Sequence, residues 1–123
     1  MKLASIRLVT NDVDRLTSFY ALVTGTAGTH LAPEFAEIRL DGALVAISGQ
    51  RLIEQFNAGA AIAAANRSAL LEFQVDDVDA VRARLGDALD YVMEPTNMPW
   101  GNRSMLLRDP DGNLVNIFSK AVG

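Results

Sequence analysis

The sequence predicts an α+β fold built from two βαβββ modules in tandem. Three observations carry this. A strand leading into an acidic helix start occurs twice, as Ser5-Ile-Arg-Leu-Val-Thr-Asn11-Asp12-Val13-Asp14 and as Leu70-Leu-Glu-Phe-Gln-Val-Asp76-Asp77-Val78-Asp79, and such self-similarity marks a duplicated unit. A glycine, Gly25 or Gly86, then stands where each helix should stop. A turn containing Asp-Gly follows in each half between alternating runs, which is a strong hairpin signal.

Taken in order, Ser5 to Val9 alternates polar and apolar residues as a half-buried strand does. Asn11 and Asp12 supply side-chain oxygens for the free N–H groups of a helix start, and their charge suits the positive end of its dipole. Gly25 ends that helix by adopting a left-handed conformation that other residues resist. A short strand is expected near Thr29 to Leu31, then a hairpin of Phe35 to Leu40 and Ala43 to Ser48 around Asp41-Gly42. Residues 49–67 form a connector whose alanine-rich part, Ala58 to Ala65, reads as a helix or a packed linker. The second module repeats the plan, with its strand at Leu70 and a helix from Asp77 to Gly86. A further strand lies near Asp90 to Glu94, and a final hairpin pairs Asn102 to Arg108 with Asn113 to Ser119 around Asp109-Pro110-Asp111-Gly112. The predicted organisation is one domain over residues 1–123, with module 1 at about 1–48, the connector at 49–67 and module 2 at about 68–123.

Composition narrows the function classes. Half of the residues are hydrophobic and 21% are charged, as in a folded globular protein. A net charge of -4 and a pI near 4.8 argue against a nucleic-acid partner, which needs a basic stripe. Cationic and neutral small molecules remain open as ligands. The absence of cysteine rules out disulfides, thiolate metal sites and cysteine nucleophiles. The N-terminus reads as a strand and not as a secretory signal, and no apolar run reaches the ~20 residues of a membrane span, so a cytoplasmic protein without membrane contact is expected.

Strand periodicity sorts the side chains by face. Ile6 and Leu8 point one way, and Ser5, Arg7 and Val9 the other. Leu71, Phe73 and Val75 oppose Leu70, Glu72 and Gln74. Pairing across Asp41-Gly42 sets Phe35 against Ser48, Glu37 against Ala46 and Arg39 against Leu44, leaving Ile38, Leu40, Val45 and Ile47 on the apolar face. Unbulged pairing across Asp109 to Gly112 sets Arg103 against Phe118, Met105 against Asn116 and Leu107 against Leu114. Each sheet therefore has one helix-covered face and one mixed face.

With the phrases NDVDRLTSFYALVTG, FQVDDVDAV and RDPDGNLVNIF in this order, the chain resembles the vicinal oxygen chelate superfamily, which includes glyoxalase I, extradiol dioxygenases, fosfomycin-resistance enzymes and bleomycin-resistance proteins. The resemblance covers nearly the whole chain. It implies a glyoxalase/bleomycin-resistance-like fold whose concave sheets line a cavity. That cavity would hold Arg7, Glu37, Arg39, Glu72, Gln74, Arg103 and Asn116 among Phe35, Met105 and Phe118. The bland alternative, a solvated sheet surface, stands beside it for each charged residue.

The resemblance also implies where a metal would be held, by a His on the first strand and a Glu on the last strand of a module. Those places are taken here by Ser5, Ala46, Leu70 and Asn116. One hydroxyl and one neutral amide are too poor a set for a catalytic metal ion, so no metal and no cofactor are expected. Asn116 has two readings, a hydrogen bond to a ligand or a hydrogen bond to a protein neighbour. The lone His30 reads as a surface or packing residue. Trp100, between Pro99 and Gly101, either packs or joins Met93, Met98 and Met105 in walling a pocket.

The implied function is that of a metal-independent small-molecule binding protein of the bleomycin-resistance type, a drug or antibiotic being the model ligand, working as a homodimer. The alternative is a glyoxalase- or lyase-like enzyme in which Glu37 or Glu72 acts as a base beside an Arg103 clamp. The site residues expected on either reading are Arg7, Phe35, Glu37, Arg39, Glu72, Trp100, Arg103, Met105 and Asn116.

Overall fold

The computed structural model describes residues 1–121, so the last two residues of the second module lie outside it. The chain divides into two compact units, Met1–Ala65 and Asn66–Gly123. The first contains β1 (Ile6–Thr10), α1 (Val13–Thr24), β2 (Thr29–Ala32), β3 (Phe35–Leu40), β4 (Ala43–Gly49) and α2 (Gln50–Phe56). The second contains β5 (Leu70–Gln74), α3 (Val78–Leu85), β6 (Asp90–Asn97), β7 (Asn102–Arg108) and β8 (Leu114–Lys120). Both βαβββ modules are present, each with its own four-stranded sheet.

The strand orders are equivalent, β1-β4-β3-β2 and β5-β8-β7-β6. In each the first strand lies parallel to the last, and the other pairs are antiparallel. A parallel pair cannot be closed by a tight turn, and the helix supplies the crossover. The helix starts are built as the sequence predicts. Asp12 Oδ1 accepts from the Arg15 amide at 3.1 Å, and Asp77 Oδ1 accepts from the Ala80 amide at 3.1 Å. Such caps are worth about 1 kcal/mol each. Gly25 ends α1 at φ 71°, its N–H on the Ala21 carbonyl.

In the first unit α1 buries Val13, Leu16, Phe19, Tyr20 and Val23, a stripe at helical spacing. The sheet residues Leu8, Ala36, Ile38, Val45 and Ile47 are buried as well. Gly28 shows how closely they approach, since a Cβ there would come within 2.5 Å of Thr17 Cγ2 and 3.1 Å of Ile38 Cδ1. In the second unit the buried apolar set is Leu71, Val78, Leu85, Met105, Leu107, Val115 and Ile117. Fully burying side chains of this size stabilises by ~1.5–3 kcal/mol apiece. Among the described residues no helix is long and apolar enough to cross a membrane.

The β3–β4 hairpin has the expected register, with Phe35 against Ser48, Glu37 against Ala46 and Arg39 against Leu44. The β7–β8 hairpin differs by one residue. Arg103 pairs with Ser119, Met105 with Ile117, Leu106 with Asn116 and Leu107 with Val115. The cause is the loop, which is one residue longer than the Asp109 to Gly112 turn. The buried Asp109 carboxylate accepts from the amides of Asp111 and Asn113, both at 2.9 Å, and from Asn113 Nδ2 at 2.7 Å. Asn113 is thereby held in the turn, and Arg108 pairs with Leu114. A slip of one residue changes which residues of the two strands share a face.

The first part of the connector forms α2, a helix the sequence did not predict, which follows β4 directly, while residues 58–65 carry turns and irregular backbone, so of their two readings the helix is not formed. Ala58 and Ala64 have φ of 56° and 58°, left-handed values that interrupt helical geometry.

Candidate functional site

The face of the first sheet away from its apolar stripe carries a row formed by Arg7, Ala46, Glu37 and Thr29, residues in register across β1, β4, β3 and β2. Beside it run Val9, Ser48 and Phe35. Glu37 is only 8% exposed, and its Oε1 accepts from Arg39 NH2 at 3.1 Å, so the charge of that carboxylate is matched by its strand neighbour. Arg7 turns to Asn57 at the end of α2, donating to its Oδ1 at 2.7 Å. Thus Phe35, Glu37, Arg39 and Arg7 share a face as expected, with Arg7 serving to fasten α2.

In the second unit the corresponding row is Glu72, Asn116, Leu106 and Met93. Asn116 Nδ2 donates to Glu72 Oε2 at 2.8 Å across the parallel β5–β8 pair. Asn116 Oδ1 is shielded from solvent and has no hydrogen-bond partner. Leu114 and Phe118 flank Asn116 along β8 and are half-buried.

Two expected residues are absent from this face. Met105 lies in the row of Ile117 and is fully buried, so it belongs to the core of the unit and lines no open surface. Arg103 shares a face with Ser119, whose hydroxyl accepts the Val78 amide at the start of α3. Its guanidinium grips Asp79 in that helix through Nε at 2.7 Å and NH2 at 3.0 Å. The hydrogen bonds from Arg103 hold the Asp79 carboxyl below its ordinary pKa. Both corrections follow from the extra residue in the hairpin loop. An Arg103 clamp beside Glu72 is therefore not available.

Trp100 sits at the turn between β6 and β7, before Gly101 at φ 95°, and is 72% exposed. It is a surface residue of the second unit. His30 lies on the β2 edge with Nε2 3.1 Å from Asp14 Oδ1.

The positions at which the resemblance would place metal ligands do not fit a divalent transition metal. Ser5 precedes β1, Ala46 offers a buried methyl group, and Leu70 pairs with Leu114. Asn116 has turned its amide nitrogen toward Glu72. A hydroxyl and an amide oxygen are neither numerous nor basic enough for such a site. Among the described residues no three His, Asp or Glu side chains are grouped to hold a metal ion.

Sequence reasoning did not anticipate a cavity of about 410 Å³ at the start of α1 and α2, lined in part by Thr10, Asp12, Asp14, Glu34, Gln50 and Arg51. No pattern of residues along the chain signals it, because it arises where β1 and β4 end together. Most of these polar side chains already meet a side chain or backbone group of the protein, although Glu34 Oε2 is buried without a hydrogen bond. Asp12 caps α1, Asp14 meets His30, Glu34 meets Arg51 at 3.2 Å, and Gln50 bonds Glu54, the Ala61 carbonyl and the Ala63 amide.

A family model described as Glyoxalase/Bleomycin resistance protein/Dioxygenase superfamily matches residues 2–117. No curated protein matches the sequence. Among solved structures, a glyoxalase/bleomycin resistance protein/dioxygenase family enzyme from Burkholderia phytofirmans PsJN is similar with a TM-score of 0.83 at 19% identity, covering 98% of this chain and 100% of that one. A glyoxalase-related enzyme from Fulvimarina pelagi gives 0.81 at 24% identity, covering 100% and 93%. A protein of unknown function from Agrobacterium tumefaciens str. C58 gives 0.82 at 23% identity, covering 98% and 95%. At these identities the likeness is one of fold.

Proposed function

Since the chain belongs to the glyoxalase/bleomycin resistance protein/dioxygenase superfamily, we propose that it is a small-molecule binding protein that works without a metal ion. The observation that carries this is the state of the four positions where metal ligands would stand. They hold Ser5, Ala46, Leu70 and Asn116, and the one with an amide is hydrogen-bonded to Glu72. In their place the open face of the second unit presents a polar pair framed by half-buried Leu106, Leu114 and Phe118. A few polar groups in an apolar surround are the usual composition of a ligand site. The first unit offers a comparable face, with Phe35 beside the Glu37–Arg39 pair.

The protein is further proposed to act as a cytoplasmic homodimer. An enzymatic reading, with Glu37 as a general base, draws on the burial of that carboxylate and is the weaker one because Arg39 is bound to it.

The test combines metal analysis with a ligand screen. Protein purified without chelator, then dialysed against one, should retain no stoichiometric zinc, nickel, manganese or iron. A thermal-shift screen of drug-like aromatic compounds should raise the melting temperature with at least one chemical series, whether or not metal is added. Tight retention of one equivalent of a transition metal, or stabilisation by ligands only in its presence, overturns the proposal. Sedimentation should give twice the 13.2 kDa sequence mass, and a monomer across a wide concentration range removes the homodimer.

A further inference from the structure

We infer that the Glu72–Asn116 pair selects an organic cation bearing several N–H donors, such as an amidinium, guanidinium or primary ammonium group on a flat apolar body. The inference rests on the open face of the second unit being a ligand surface, as proposed above, and adds the chemistry of what it takes.

The argument begins with orientation. The Asn116 amide must present Nδ2 to Glu72 Oε2, because reversing it would bring two acceptor oxygens to the 2.8 Å that now separates donor from acceptor. Its Oδ1 is left without a donor although it is shielded from water. A buried acceptor in that condition is destabilising until a donor reaches it. Glu72 adds carboxylate lone pairs that one Asn116 N–H cannot satisfy. With its one donor turned to Glu72, the pair has only acceptors left over, the exposed Glu72 carboxylate foremost, so it favours donors and repels anions.

Charge points the same way. With the observed register, Arg103 is on the other face and bound to Asp79. Arg108 stands at the far end of β7 and donates to the Gly112 carbonyl. Glu72 therefore has no ion-pair partner among the described residues. Leu106 lies directly across from Asn116, and Leu114 and Phe118 stand two residues either side of it. Hydrogen bonds donated by a cationic group are roughly twice as strong as neutral ones.

The test uses three probes of nearly equal shape, benzamidine, benzamide and benzoate, titrated into isotope-labelled protein and followed by amide and side-chain NMR. Benzamidine should shift the Asn116 side-chain resonances and the amides of Leu106 and Phe118, binding at least tenfold tighter than benzamide, with benzoate not binding this face. Glu72→Gln and Asn116→Leu should each weaken benzamidine at least tenfold. The probe comparison on the wild type needs no variant, so a substitution that fails to fold leaves the question decidable. Equal binding of benzamidine and benzamide on this face overturns the cation selectivity while sustaining the face as a ligand surface. Binding unaffected by Glu72→Gln in a folded variant also overturns it. No shift on this face with any probe overturns it too, and a simultaneous blank in the broader thermal-shift screen is what would remove the binding-protein reading itself.

Discussion

Replacing Met105 by Ala tests the register of the last hairpin, on which the placement of every β7 and β8 side chain depends. Met105 is fully buried and lies in register with Ile117, itself 1% exposed. Truncation to Ala removes three side-chain heavy atoms and leaves a cavity, a change that costs ~2–5 kcal/mol for Leu, Ile or Met in a core. For a chain of this size 1 kcal/mol moves the melting temperature by about 4 °C, so the expected fall is about 8–20 °C. Its neighbour Leu106 is half-buried on the opposite face, against Asn116. Leu106→Ala should therefore cost clearly less, about 1–1.5 kcal/mol, since only part of its surface leaves water. Urea denaturation of the two variants beside the wild type gives the order directly. Pairing without the extra loop residue would set Met105 across from Asn116 and bury Leu106 instead. A Met105→Ala cost within about 0.5 kcal/mol of zero, or a larger cost for Leu106→Ala, refutes the register and the face assignments drawn from it.

Three further outcomes are expected. Asp109→Ala should destabilise by about 3 kcal/mol in denaturant melts, because three hydrogen bonds to a buried carboxylate are lost and their donors left in the turn. Trp100→Ala, at a site 72% exposed, should change folding stability by no more than about 0.5 kcal/mol, and a large loss would show that its ring is packed. Arg82 bonds Glu94 at 2.7 Å and Asp87 at 2.9 Å, lies 3.9 Å from the centre of the Tyr91 ring, and holds the Glu94 carboxyl below its ordinary pKa. A carboxyl depressed in the folded state stabilises above its unfolded pKa and loses that contribution as the pH falls through the folded one. Wild-type stability should accordingly drop on acidification through and below the ordinary carboxylate range, and Arg82→Met should show a shallower drop when urea melts are compared across pH.

Apart from α2, the order of elements was legible in the sequence because it rests on local signals. Asp12 and Asp77 cap helices from the residue immediately before them, Gly25 ends α1 by its own backbone freedom, and the Asp41-Gly42 turn sets the β3–β4 register within two residues of itself. The faces of β1, β3, β4 and β5 follow from alternation alone. The tertiary structure decided what depends on groups distant in the chain or on a side chain's competing partners. Asp109 and Asn113 added a residue to the last turn through hydrogen bonds that its four-residue motif does not reveal. That single residue sent Met105 into the core and Arg103 to Asp79, and set Asn116 beside Leu106. The pairing of Asn116 with Glu72 joins residues from the two ends of the module, and Arg7 found Asn57 at the end of α2, a helix that the sequence did not reveal. Alternation assigns a residue to a face, but the partner it meets there is chosen by register and by the competition among hydrogen-bonding groups that folding brings within reach.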